Sequence, residues 1–108
     1  MNSKYLILLC TVFLTFLHAE NEKVDCLILE DENSIICKYT HARIAEEKNI
    51  VVQWIEPDGS ITRTRNMVIP PHHASIYDYR YTQGRTKGLW TFKVIDGQDE
   101  YTTNFTIK

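Results

Sequence analysis

The sequence predicts an all-β fold, an antiparallel sandwich of about seven strands. Three observations carry that expectation. After Cys37 the apolar residues recur with period two, the spacing of strands that bury one face. Short turns rich in Pro, Gly, Asp and Asn separate these segments. Two cysteines, Cys26 and Cys37, lie symmetrically about a polar turn, so an antiparallel hairpin sets them opposite each other.

The first residues have a different character. Lys4 supplies a positive start, and Tyr5 to Leu17 is apolar apart from Thr11 and Thr15. Leu17-His18-Ala19 then precedes the polar run Glu20-Asn21-Glu22-Lys23. This is the three-part layout of a secretory signal peptide, with residues 1–19 removed and residues 20–108 forming one domain. The apolar stretch is much shorter than the ~20 residues of a spanning helix, so the mature chain is expected to have no transmembrane span. Lipidation at Cys10 is the alternative, but Leu9 stands where a small residue should precede the cysteine. Cys10 is therefore read as part of the removed segment. The expected location is outside the cytoplasm, periplasmic or secreted.

The formal net charge is −2, and loss of Lys4 makes it one unit more negative. A nucleic-acid binder would carry a basic footprint, so nucleic acid is not an expected partner. A domain of this size buries only roughly two-thirds of its unfolded surface, which makes a covalent staple useful. Cys26 and Cys37 supply one. The rival reading, a redox-active or metal-binding pair, lacks the CxxC spacing and a nearby histidine cluster.

Taken in order, the first strand is Val24 to Leu29, and Glu30-Asp31-Glu32-Asn33 turns the chain into a second, Ser34 to Tyr39. His41 to Lys48 is the one helical stretch expected, a turn or two long. Ile50, Val52 and Trp54 then share one strand face, and Pro57-Asp58-Gly59 closes that strand. Ser60 to Ile69 is extended and ends at Pro70-Pro71, and Ser75 to Thr82 follows. Trp90, Phe92 and Val94 alternate with Leu89, Thr91 and Lys93. Asp96-Gly97 marks a hairpin turn, and Tyr101, Thr103, Phe105 and Ile107 form the inward face of the last strand. Trp54, Trp90, Phe92 and Phe105 are assigned to the core.

Trp54 followed by Pro57-Asp58-Gly59 resembles the third strand of immunoglobulin-like and fibronectin-type domains. Gly88-Leu89-Trp90-Thr91-Phe92-Lys93-Val94, Asp96-Gly97 and Asn104-Phe105-Thr106-Ile107 resemble the closing hairpin of small bacterial envelope domains of that class. The chain is thus similar to the small immunoglobulin-like envelope lipoproteins of Campylobacter-type bacteria, which implies an immunoglobulin-like sandwich. Two departures stand out. The cysteines lie in one hairpin rather than bridging the sheets, and the lipidation motif does not match, so membrane anchoring is not carried over. Such a likeness speaks to fold and says little about ligand.

Candidate sites compete with plainer explanations. His72-His73, with His41 elsewhere, are the obvious metal ligands, but adjacent residues on an extended chain point to opposite sides. An exposed loop is the better reading. Tyr77, Tyr79 and Tyr81 line one side of a strand, with Ile76, Asp78 and Arg80 on the other. Polar-tipped aromatics suit a recognition surface, yet packing into the sandwich is the favoured expectation. Arg63, Arg65, Arg80, Arg85 and Lys87 could meet an acidic glycan or a protein carboxylate, although solvating a sheet face or edge is the commoner role. The carboxylate runs Glu30-Asp31-Glu32 and Asp96, Asp99, Glu100 lack the EF-hand pattern and are read as solvated turns. Asn104-Phe105-Thr106 is an N-glycosylation sequon on an outward face. No catalytic motif is present, and neither a metal nor a cofactor is expected. These readings imply a non-catalytic exported module that binds a protein partner. Arg63, Arg65, His72, His73, Tyr77, Tyr79 and Tyr81 are its possible surface. A structural or accessory subunit of an envelope assembly, pairing through a sheet edge, and a glycan-binding domain are the alternatives.

Overall fold

The computed structural model describes residues 23–108; the expected signal segment 1–19 and Cys10 lie outside the described residues. Seven strands follow one another: β1 (Val24–Leu29), β2 (Ser34–Thr40), β3 (Lys48–Ile55), β4 (Ile61–Ile69), β5 (Ser75–Tyr81), β6 (Gly88–Asp96) and β7 (Asp99–Ile107). They form two antiparallel sheets, ordered β1-β2-β5 and β4-β3-β6-β7. This is an immunoglobulin-like sandwich in which the fourth strand pairs with the third rather than the fifth. Both β4 and β5 are consequently edge strands.

The first hairpin turns through a short 3-10 segment, Glu30–Glu32, and Asn33 reverses the chain in the left-handed region at φ 52°. Asparagine tolerates that conformation because its short side chain crowds the backbone little. The resulting register sets Cys26 against Cys37, and the disulfide forms across a Cα separation of 4.1 Å. Closing so short a loop stabilises by ~2–3 kcal/mol in the chain-entropy account. At the other end of the chain, Asp96 pairs with Asp99 around Gly97-Gln98. Only Gly97 of that pair has positive φ, as in a II′ turn.

The core gathers the inward faces of both sheets: Ile35, Cys37 and Tyr39 from β2 meet Ile50, Val52, Trp54, Trp90, Phe92 and Val94 from β3 and β6. Trp54 is fully buried, edge-on to Phe92 and Phe105 at 5.2 and 5.7 Å between ring centroids. Such T-shaped pairs bring the positive ring edge onto a negative face.

Two expectations are corrected. No helix forms over residues 41–47, and Lys48 already belongs to β3. The backbone of this connector bonds the β4–β5 connection instead, His41 N–H to Ala74 O at 2.8 Å and His72 N–H to Ile44 O at 2.7 Å. A helix this short cannot offset its nucleation cost against such pairing. Asp96 is also no solvated turn residue. Its Oδ2 accepts from Tyr39 Oη at 2.7 Å and Lys48 Nζ at 2.9 Å, tying β2, β3 and β6 together.

Candidate functional site at the open edge of the sandwich

At the β4–β5 side the sandwich is closed by charge rather than by apolar packing. The inward positions of β5 are Ile76, Asp78 and Arg80, so the tyrosines point the other way and the expectation that they pack inside is overturned. Asp78 is 2% exposed, and its carboxylate has no water to solvate it. Four donors replace that water. Oδ2 accepts from Trp54 Nε1 at 2.8 Å. Oδ1 accepts from Arg65 Nη1 at 2.6 Å, Arg63 Nη1 at 3.3 Å and the Tyr79 N–H at 3.0 Å. Arg63 and Arg65 reach it because they pair with Trp54 and Val52, on the inward face of β4. They are clasps between the sheets, not a free solvated face. A buried carboxylate is tolerated only when paired and hydrogen-bonded in this way.

The same arginines cover the β5 edge. Arg63 Nη1 donates to the Tyr79 carbonyl at 3.2 Å, and Arg85 Nε donates to the Tyr81 carbonyl at 3.2 Å. Arg80 lies deeper, 7% exposed, with its guanidinium 5.5 Å from the Trp54 ring and 6.0 Å from the Trp90 ring. Cation–π attraction offsets part of its desolvation. Its Nη1 donates to Thr62 Oγ1 at 3.0 Å, while its buried Nε has no acceptor among the described residues. Burial lowers the Arg80 pKa, and the charges of Arg85 and Arg63 push the same way against the pull of Asp78 and Glu56. Arg63, Arg65, Arg80, Arg85, Tyr79 and Tyr81 line a surface depression of about 250 Å³.

The opposite side of β5 is aromatic. Tyr77, Tyr79 and Tyr81 are 58%, 55% and 60% exposed on the outer face of the three-stranded sheet. Cross-strand register extends this face into a row, Leu27 beside Ile36 beside Tyr79, and Leu27 is itself exposed. Tyr79 and Tyr81 hold a T-shaped contact at 6.1 Å. No protein-family model and no curated protein matches the chain.

The other predicted positions lie apart from this edge. Exposed His72 and His73 occupy a tight turn after Pro70-Pro71, where the His73 N–H bonds Pro70 O at 3.2 Å and His72 takes φ 67°. Arg43 Nη1 caps the His72 carbonyl at 2.8 Å. His41 is separate, stacked on Tyr39 at 5.9 Å. Among the described residues no group of three or more His, Cys, Asp or Glu gathers as metal ligands. Asn104 is exposed on β7, its Oδ1 accepting from Thr91 Oγ1 at 2.9 Å. Lys87 and the Glu30–Glu32 turn are exposed and do not line the depression. Sequence reasoning missed Asp78 as the organising group. The available cue was an Asp-x-Arg pair on one strand face of a chain with a core Trp and two edge arginines.

Proposed function

We propose that this chain is a non-catalytic exported module that binds a protein partner in the cell envelope or outside the cell. The contact surface is the outer face of the β1-β2-β5 sheet. The observation that carries the reading is the exposed row of Tyr77, Tyr79 and Tyr81 beside Leu27. Tyrosine offers a large apolar area with a polar tip at little entropic cost, and exposed apolar patches on soluble domains commonly mark contact sites. Export is supported by the layout of residues 1–19 and by the disulfide, which persists in oxidising compartments. Among the described residues no helix is long and apolar enough to cross a membrane. The likeness to small immunoglobulin-like envelope lipoproteins agrees with this assignment. The face is favoured over pairing through the β5 edge, because both backbone groups of Tyr79 and the carbonyl of Tyr81 already have side-chain partners.

Site-specific photocrosslinking in the producing organism tests the reading. A benzophenone amino acid in place of Tyr77 or Leu27 should give a discrete protein adduct, and one in place of Leu89 or Thr102, on the four-stranded sheet, should not. The adduct should contain a chain beginning at Glu20. Equal crosslinking from both sheets, or crosslinking from the four-stranded sheet alone, would remove the face from consideration.

A further inference from the structure

We propose that the arginine-lined depression is a carboxylate site, receiving an acidic side chain of the protein that sits on the tyrosine face. The inference rests on the reading above and adds the chemistry of the partner. Four guanidinium groups line or border the depression, and the carboxylate between them, Asp78, is already committed to four donors. A further anion would therefore meet positive charge that has not been neutralised in place.

Arg80 gives an independent indication. It is more than nine-tenths buried, it lines the depression, and its Nε lacks an acceptor among the described residues. Buried donors in folded proteins are almost always satisfied, and this Nε is sealed from solvent, so what Arg80 offers an anion in the depression is its guanidinium charge, whose side-chain bond goes to the neutral Thr62 hydroxyl. Each of the other guanidinium groups is held through one nitrogen: Arg65 by Asp78, Arg85 by the Tyr81 carbonyl, and Arg63 by both Asp78 and the Tyr79 carbonyl. Each has further N–H groups beyond those bonds. Arginines oriented before binding lose little freedom when a carboxylate arrives.

Size and position select the class of ligand. A volume of about 250 Å³ is below the usual range for a whole small molecule, roughly 300–1,000 Å³. It suits one acidic side chain. The depression is also continuous with the tyrosine face, since Tyr79 and Tyr81 belong to both, and the Leu27–Ile36 row beside them suits apolar side chains of a polypeptide. An acidic glycan would use the arginines but not that row.

The test is an NMR titration of the 15N-labelled exported protein, following the arginine Nε–Hε signals. The probes are acetyl-Leu-Glu-Leu-amide, its Gln counterpart, a galacturonate oligomer and inorganic phosphate. The Glu peptide should shift Arg80 and Arg85 saturably, the Gln peptide should not, and Arg85→Gln should weaken the Glu peptide by about tenfold, the worth of one charged hydrogen bond. Arg85 anchors only to an exposed-edge carbonyl, so the variant should keep its amide spectrum elsewhere. Equal shifts from the Gln peptide, or unchanged binding by Arg85→Gln, would overturn the proposal. Tighter binding of galacturonate would transfer the site to acidic glycans, and tighter binding of phosphate to a free oxyanion; either overturns the assignment. Tyr77→Ala separates the two readings, because it lies on the face but outside the depression. It should reduce crosslinking from position 27 while leaving the Glu-peptide shifts intact. Persistent crosslinking without peptide shifts sinks the carboxylate site alone, whereas peptide shifts without crosslinking sink the protein-partner reading and the ligand assignment with it.

Discussion

Asp78 accepts four hydrogen bonds where water scarcely reaches, so its removal strands several donors at once. Arg63 and Arg65 are partly exposed and can turn to solvent, which limits their share of the loss. Trp54 cannot turn, because it is fully buried and would keep an N–H with no acceptor. Asp78→Ala should therefore cost about 3 kcal/mol in chemical denaturation, with Asp78→Asn costing less by the Trp54 bond that its amide oxygen keeps, while its amide nitrogen turns a donor toward Arg63, Arg65 and the Tyr79 N–H. Equal losses in the two variants would show that charge, rather than the Trp54 hydrogen bond, dominates at this position.

At the level of elements, the entry to β6 shows how two turns depend on each other. Gly88 takes φ 128°, and a Cβ there would lie 3.0 Å from Pro57 Cγ and 3.3 Å from Pro57 Cβ. The Pro57-Asp58-Gly59 turn thus packs where only glycine leaves room. Gly88→Ala should destabilise by roughly 2 kcal/mol, lowering Tm by several degrees, and Pro57→Ala in the same chain should recover only the part due to the Pro57 Cγ contact. Strand β7 was legible in the sequence because one face is apolar and the other is not, and in β3 Ile50, Val52 and Trp54 are buried as their spacing required, although Val51 and Ile55 place apolar residues on its outer face as well. In β5 the same logic points the wrong way. Its tyrosines are the more apolar set, yet Asp78 and Arg80 go inside, because their partners stand on β4 and β3 of the facing sheet. That pairing is invisible to local periodicity. The stretch His41 to Lys48 fails for a related reason, since its Ala, Glu and Lys content favours helix locally while residues 72 and 74 take its backbone hydrogen bonds. Of the candidate site, the tyrosine stripe and the arginines were readable as residues. Their arrangement was not.

Across the whole molecule, the end of the sandwich holding Tyr39, His41, Lys48 and Asp96 sets the response to acid. Burial, followed by the positive charges of Lys48 and Lys23, lowers the His41 pKa below 6.5, with Asp96 pulling the other way. For Asp96, burial alone would raise the pKa, but bonds from Tyr39 and Lys48 outweigh it and hold the carboxyl below 3.8. Both groups bind protons more readily when the chain is unfolded, so both contribute stability that is lost as pH falls. The His41 part is complete above about pH 6.5 and declines below it; the Asp96 part is complete above about pH 3.8 and is lost under stronger acid. Denaturation midpoints should fall between pH 7.5 and pH 5 in the native chain, and His41→Gln should flatten that interval while moving the limb below pH 4 only slightly upward, because the His41 charge is the smallest of the influences that hold the Asp96 carboxyl down. The disulfide has a consequence for the order of events in folding. Its two ends are 11 residues apart and belong to one hairpin, and loops of that length close in roughly 10–100 ns. Oxidation therefore need not await the distant strands that complete either sheet: once residues 24–40 are free in an oxidising compartment, the pair can join. Should Cys10 leave with the expected leader, Cys26 and Cys37 are the two cysteines of residues 20–108, and they allow a single pairing within the chain.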